Sequence, residues 1–340
     1  DHRDLHSFPT RRSSDLLARR QLLWVLVGLG CFTAATVVDY RKIAANSWWI
    51  YLMCLVLLVL VLVMGVKIYG AYRWLNLFGI QVQPSEFAKL GTLLILARYL
   101  GPPSRDMAEF KTFYTVFALM AIPFVLVLRQ PDLGTALMLV PVTFVALYTG
   151  GVPIRYLVIL VGGGLLLSPL GWFFLDEYQK NRIFVFIDPS RDPLDTGWNK
   201  IQSEIAVGSG GWTGKGFLMG TQNILGFLPR TVAPTDFIFS VIAEESGFVG
   251  SILVLGLYAL LLARGIVAAI RARDKLGRLI AAGMSTMLFC HMFVNIAMTV
   301  GLAPITGLPL PLISYGGSFM VCTMTGLGLV QSVYVRRMER

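Results

Sequence analysis

The chain has 340 residues, 56% of them hydrophobic and only 14% charged, with a mean hydropathy of +0.69. Soluble domains carry about 25% charge, so the composition excludes an ordinary soluble enzyme and predicts an all-α, polytopic membrane bundle. A net charge of +10 in such a chain sets topology and meets anionic lipid heads, and it does not call for nucleic acid.

Residues 1–16 (DHRDLHSFPTRRSSDL) are polar, without helical period, and have no apolar core of a signal peptide. The run FPTRRSSDL resembles a translated sequencing adapter. The stretch is therefore expected to be non-native, and residues 17–340 to form the membrane domain. Nine apolar runs follow, near 21–38, 48–66, 86–100, 112–128, 133–150, 154–175, 236–263, 279–301 and 313–335. Each is measured against the roughly 20 residues that cross a bilayer. The third is short and carries Glu86, Lys89 and Arg98.

Short-loop Lys and Arg orient the spans. Arg41, Lys42, Arg98, Arg105, Lys111, Arg155, Arg264, Arg271, Arg273, Lys275, Arg278, Arg336, Arg337 and Arg340 fall on one side. The opposite short loops hold little beyond Lys67, Arg73 and Arg129. The first side is predicted cytoplasmic, with the C-terminus inside, and Arg19 and Arg20 then lie on the wrong side. A missing first span would account for that. The long loop 176–235 faces outward and is expected to fold back on the membrane as short amphipathic helices.

All four cysteines (Cys31, Cys54, Cys290, Cys322) lie in apolar runs and form no C-x-x-C pair, so neither a disulfide framework nor a zinc site is indicated. Histidine is limited to His2, His6 and His291. Proton chemistry at a water-facing site then falls mainly to carboxylates.

Several polar groups stand out. Glu86 and Lys89, at i, i+3 after Gln83-Pro84, share a helix face and can neutralise one another; a structural ion pair and a site role are compatible. Asp132, in the turn Gln130-Pro131-Asp132, is expected to be a helix cap. His291 and Asn295, at i, i+4, have the spacing of interhelical hydrogen-bonding groups. The loop before residue 236 carries glycines at 208, 210, 211, 214, 216 and 220, with Lys215, Thr221 and Gln222 able to hold a polar head group. Asp236 then admits two readings: an N-cap, or a carboxylate held at the membrane–water boundary beside that loop. Glu244, at i+8, shares its face, and Glu245 points elsewhere. The turn-rich passage Pro304–Ser318 is expected to form a second wall beside Asp236.

Taken together these segments resemble the SEDS family (shape, elongation, division and sporulation), and its elongation branch more than its division branch. The resemblance covers about residues 20–340. It rests on RWLNL at 73–77, QPSEFAK at 83–89, QPDLGT at 130–135, GKGFLMGTQ at 214–222, FLP and TDFIF within 227–239, AEESG at 243–247, and the run from Asn295 through GLAPITGLPLPLISYGGS. The chain departs from the family in lacking the first of ten spans. It also has Pro234 in place of a His, Gln81 in place of an Arg, and Phe319 in place of a small residue.

The resemblance implies a peptidoglycan glycosyltransferase in a bacterial cytoplasmic membrane, joining lipid II units at the outer face by inversion. It implies Asp236 as general base and Lys215 and Arg182 on the diphosphate. Gln222, Glu86, Lys89 and Arg73 would shape the substrate site. No cofactor is implied beyond a divalent cation such as Mg²⁺, which the sequence leaves open. The expected partners are lipid II, membrane lipid, the elongation machinery and a class B penicillin-binding protein docking on 236–263 and 279–301. A lipid II flippase and a non-catalytic scaffold for a transpeptidase are the rival readings.

Overall fold

A computed structural model describes residues 11–68, 71–77, 80–173, 175–229 and 232–338. Residues 1–10 of the polar N-terminal stretch and Arg340 of the basic C-terminus lie outside the described residues. Nine long helices occupy the nine apolar runs: α1 (Arg11–Val37), α3 (Ser47–Met64), α4 (Pro84–Leu100), α5 (Phe110–Leu128), α6 (Leu133–Thr149), α7 (Ile154–Phe173), α11 (Ile238–Ile270), α12 (Lys275–Thr299) and α13 (Gly317–Val335). Among the described residues, seven of them are long and apolar enough to cross a membrane. The other two, α4 and α6, have 17 residues each. Short helices complete the chain: α2 (Tyr40–Ala45), α8 (Glu177–Ile187), α9 (Thr196–Ser209) and α10 (Thr221–Ile224). The last three divide the long loop, as its composition predicts. Helix α1 begins inside the polar stretch 1–16, at Arg11.

The bundle is built around α4. Pro84 at its first turn costs no hydrogen bond there, and 14 of its 17 residues are buried. It packs against α3, α5, α6, α12 and α13. A helix apolar on all sides belongs inside a bundle, and α4 achieves this while carrying Glu86 and Lys89. Small residues let its neighbours approach. A Cβ on Gly328 would lie 2.5 Å from the Phe32 carbonyl, so the close contact of α1 with α13 requires glycine. Helix α7 has a single buried residue, Leu157.

The bundle is not wholly helical. Between α3 and α4 the chain forms an antiparallel three-stranded ribbon of β1 (Val66–Ile68), β2 (Ala71–Leu77) and β3 (Ile80–Val82). The all-α class holds, and the ribbon is a local addition to it between α3 and α4. Residues 66–82 are rich in Val, Ile, Tyr and Trp with Gly70 and Gly79 as punctuation, which is a hairpin pattern. The ribbon carries Arg73 on β2.

Helix α11 is two helices joined at Gly247, whose φ of 66° and ψ of −160° are non-helical. The backbone groups released there are taken up by the glycine-rich loop. Lys215 N–H donates to the Glu244 carbonyl at 3.0 Å and Gly216 N–H to that of Glu245 at 3.0 Å. In return Phe248 N–H donates to Gly211 at 2.8 Å and Val249 N–H to Trp212 at 3.1 Å. At the opposite end of α11, Asp274 caps α12 through Gly277 N–H at 2.8 Å and accepts from Tyr40 at 2.9 Å and from Arg41 at 2.8 Å. Burial alone would raise the Asp274 carboxyl; the Gly277 amide and the Arg41 and Tyr40 donors hold it below its usual range.

A Cβ at Gly247 would sit 2.3 Å from the Gly214 nitrogen, at positive φ, whereas one at Gly256 meets nothing within 4 Å. Gly247→Ala should therefore cost about 2 kcal/mol or more, and Gly256→Ala should stay within about 0.5 kcal/mol. Thermal unfolding of the two purified variants in one detergent separates them.

Candidate functional site

Asp236 sits in a turn, not on a helix. Its N–H donates to Val232 at 2.9 Å, and Phe237 is buried against Leu228, Ala233, Met298 and Ile305. Helix α11 starts only at Ile238, after Phe237, with no side-chain cap. The N-cap reading of Asp236 is thereby set aside, and its carboxylate is free for other partners. Asp132, by contrast, caps α6 as its turn predicts, accepting from Thr135 N–H at 3.2 Å.

The segment 305–315 closes over Asp236. Tyr315 N–H donates to the Pro234 carbonyl at 2.8 Å, and the Ser314 hydroxyl to that of Thr235. The Asn295 amide reaches up from α12 to the carbonyls of Asp236, at 2.9 Å, and Leu308, at 2.7 Å. Gly307 turns at φ 73°, and the point where its Cβ would lie is 3.5 Å from Asp236 Oδ2 and 3.7 Å from Arg182 Nη1. The second wall expected from the sequence at 304–318 is thus in place, and carboxylate and guanidinium both approach the same glycine. A Cβ there would touch both.

Two cations face this carboxylate. Arg182, on α8, lies 4.6 Å over the Tyr178 ring and donates to its hydroxyl, while its Nε is buried without a hydrogen-bond partner. Arg73, on β2, donates to the Gln130 carbonyl at 3.4 Å and to that of Pro131, and stands 3.9 Å from Asp132. Burial pushes the Asp236 carboxyl up to about 6; Arg182, Arg73 and the Thr235 hydroxyl oppose the rise, and Asp132 adds to it. A carboxylate poised in that range is suited to taking a proton near neutral pH.

Lys215, expected on a diphosphate, is bound to Glu244 at 2.7 Å and to Thr221 at 2.7 Å. Glu244 also accepts from the Thr221 hydroxyl at 3.1 Å and from Gln222 N–H at 3.0 Å. The glycines serve closeness here: a Cβ on Gly220 would lie 2.7 Å from Glu244 Oε2. The Gln222 side chain leaves its Oε1 buried and unpartnered. In this structure the lysine neutralises a buried carboxylate in the break of α11, and Arg73 takes its place as the second cation near Asp236.

Glu86 and Lys89 form the i, i+3 pair that their spacing predicts, at 2.9 Å, each only 2% exposed. Lys89 also contacts His291 Nε2 at 2.7 Å and faces the Phe319 ring at 5.7 Å. An ammonium only donates, so Nε2 accepts and the His291 proton is assigned to Nδ1. With these groups lining a cavity of about 10 Å³, there is space for roughly one water. His291 and Asn295 both bond between elements, as their spacing suggests. Among the described residues, no three His, Cys, Asp or Glu side chains gather as metal ligands.

Fold and site define a class: a polytopic helical membrane protein with a carboxylate–guanidinium centre under a glycine turn at one end of the bundle. A model of the FtsW/RodA/SpoVE family, described as cell cycle proteins, matches residues 6–339, and the chain belongs to that family. The peptidoglycan glycosyltransferase MrdB of Escherichia coli (strain K12) is 40% identical over 324 residues, 94% of this chain and 86% of that protein. A solved peptidoglycan synthase complex, reported for its coordination of polymerization and crosslinking, contains a chain that is 36% identical with a TM-score of 0.81 over 96% of this chain and 91% of that one. The rod shape determining protein RodA of Thermus thermophilus is 34% identical with a TM-score of 0.71, over 96% and 89%.

Sequence reasoning missed the partner of Glu244 and the attachment of Asn295 to Asp236. The first carried a signal, since a carboxylate two turns into a span needs a cation and the loop before it offers Lys215. Lys215→Met should destabilise the protein by about 2 kcal/mol, less than a fully enclosed pair would lose because the lysine is 27% open to solvent. Adding Glu244→Gln should recover part of that loss. A double-mutant cycle in thermal unfolding reads the coupling.

Proposed function

We propose that this chain is a peptidoglycan glycosyltransferase that polymerises lipid II at the outer face of a bacterial cytoplasmic membrane, with the nine long helices as spans and the C-terminus inside. Residues 17–340 constitute the working membrane domain in this reading. The observation that carries the mechanism is the Asp236 carboxylate, raised to about 6, meeting Arg182 at Gly307 with Arg73 behind it. Family membership and the names of the similar proteins support the reaction type; the geometry supports the roles.

The growing glycan is the donor, linked through its anomeric carbon to a lipid diphosphate. Asp236 accepts the proton of the 4-hydroxyl on the incoming lipid II as that oxygen attacks the anomeric carbon from the opposite side. The carbon–oxygen bond to the diphosphate breaks with its electron pair going to the oxygen, and the leaving group departs as the free lipid diphosphate, one negative charge richer than in the donor. Arg182 and Arg73 face the place where that charge develops, which is where fixed cations accelerate a transfer most. The proton on Asp236 returns to water. The glycine at 307 keeps a side chain out of the gap through which the hydroxyl must come.

Ionised carboxylate is the active form, so activity should fall about tenfold per pH unit below 6. Asp236→Asn should leave the protein folded in the membrane and reduce polymer formation by about 10²-fold or more. Reconstituted protein with labelled lipid II measures both. Wild-type-like polymer from the Asn variant would remove Asp236 from the chemistry.

The partner that fits is a class B penicillin-binding transpeptidase seated along α11 and α12, with the elongation machinery beyond it. The similar synthase complex, which couples polymerization to crosslinking, supports this reading. So does the surface: Ile252, Leu253, Leu257 and Leu260 are exposed along α11 around Gly256, and Phe289 and Phe293 stack at 5.7 Å on α12. Gly256→Leu should reduce co-purification of the transpeptidase several-fold without reducing the amount of inserted protein. Undiminished capture would place the dock on another face.

A further inference from the structure

The mechanism leaves one buried polar group of the site without a role. Asn295 is fully buried on α12, and its amide donates at once to the main-chain carbonyl of Asp236, at 2.9 Å, and to that of Leu308, at 2.7 Å. Two facing carbonyl oxygens fix the orientation of the amide, since the reverse would set its oxygen against both. That oxygen, Oδ1, is left buried and unpartnered, so the side chain is held in place for its two donors alone. The residues it joins are the two sides of the reactive gap. Asp236 supplies the carboxylate. Leu308 follows Gly307, the point on which Asp236 and Arg182 converge. The Ser314 hydroxyl ties the same two segments to each other, donating to the Thr235 carbonyl and accepting from Leu310 N–H at 2.8 Å; Asn295 ties both of them to α12.

We infer that Asn295 is a positioning residue: by clamping the backbone of Asp236 to that of Leu308, it sets the gap between the carboxylate and Arg182 across Gly307. This rests on the assignment of Asp236 as base. Asn295 itself touches neither carboxylate nor substrate; it acts through the main chain, and α12 is the rigid post on which the gap is hung. One turn earlier on the same helix, His291 accepts from Lys89, so the post is itself fixed to the buried ion pair of α4.

The test is kinetic. Asn295→Asp conserves volume and presents oxygens to both carbonyls, and Asn295→Gln keeps both donors one methylene further out. Each should lower kcat by about 10- to 100-fold, the scale of a misplacement near 1 Å, with KM for lipid II within about twofold. The groups facing Asp236 are Arg182 from α8, Arg73 from β2 and Asp132 from the turn before α6. A carboxylate displaced from the two guanidiniums loses their stabilisation, so the acid limb of the pH–rate profile should move to higher pH. Should the Asp variant not be recovered folded, the Gln variant carries the same measurement. Wild-type kcat in a folded variant, or a loss of activity in proportion to lost folded protein with the acid limb unmoved, would overturn the inference. Asp236→Asn, assayed alongside, separates the two claims: if it retains activity, the base assignment fails whatever Asn295 does.

Discussion

A polar group taken out of water must find its partner inside the protein, and in a membrane bundle there is no solvent to make good an omission. The arrangement of this chain follows from that constraint more than from hydrophobicity, because lipid is as apolar as leucine. Helix α4 can occupy the centre because Glu86 and Lys89 answer one another within a single turn and His291 takes a further donor of the ammonium. Helix α11 can break at Gly247 because the loop 211–216 supplies donors and acceptors at the level of the break. Both irregularities coincide with such an internal answer.

The same constraint explains why the reactive carboxylate is costly. Asp236 titrates near 6 in the folded protein, above the value of about 3.9 for a free aspartate. The native state therefore binds this proton more tightly than the unfolded chain does. Its favourable contribution to stability is complete below about pH 4 and is lost as pH rises through 6. At neutral pH the ionised form is retained against burial, with Arg182 and Arg73 reducing the cost. A helix N-terminus would have stabilised the anion further and weakened it as a base, and the chain delays α11 until Ile238. The turn at 232–237 is what keeps Asp236 off the helix N-terminus.

What was legible in the sequence is what depends on near neighbours along the chain. The nine apolar runs, the i, i+3 pair at Glu86 and Lys89, the cap at Asp132 and the short helices of the long loop all follow from spacing, and Asp236 and Arg182 do meet. The ribbon 66–82 was legible but hidden between two spans, where a short connection is the default. The pairing of Lys215 with Glu244 was not legible, because the sequence shows a cation in a glycine-rich loop and not the depth at which that loop lies. Its backbone pairing with residues 244–249 fixes that depth, and it is a contact across some thirty residues with no local pattern. Arg73 enters the site for a similar reason: β2 carries it to the turn at Gln130–Asp132, a pairing of two connections remote in sequence.

These long-range contacts divide the molecule into more and less enclosed parts. Helices α4, α6 and α12 are buried and mutually packed, and the groups that matter to Asp236 hang from them: Asp132 at the start of α6, Asn295 on α12. The cations approach from other elements, Arg182 on the short α8 and Arg73 on the three-stranded ribbon. Helix α7, with Leu157 alone buried, is the least enclosed of the long helices, and Arg182 follows it in the chain on α8.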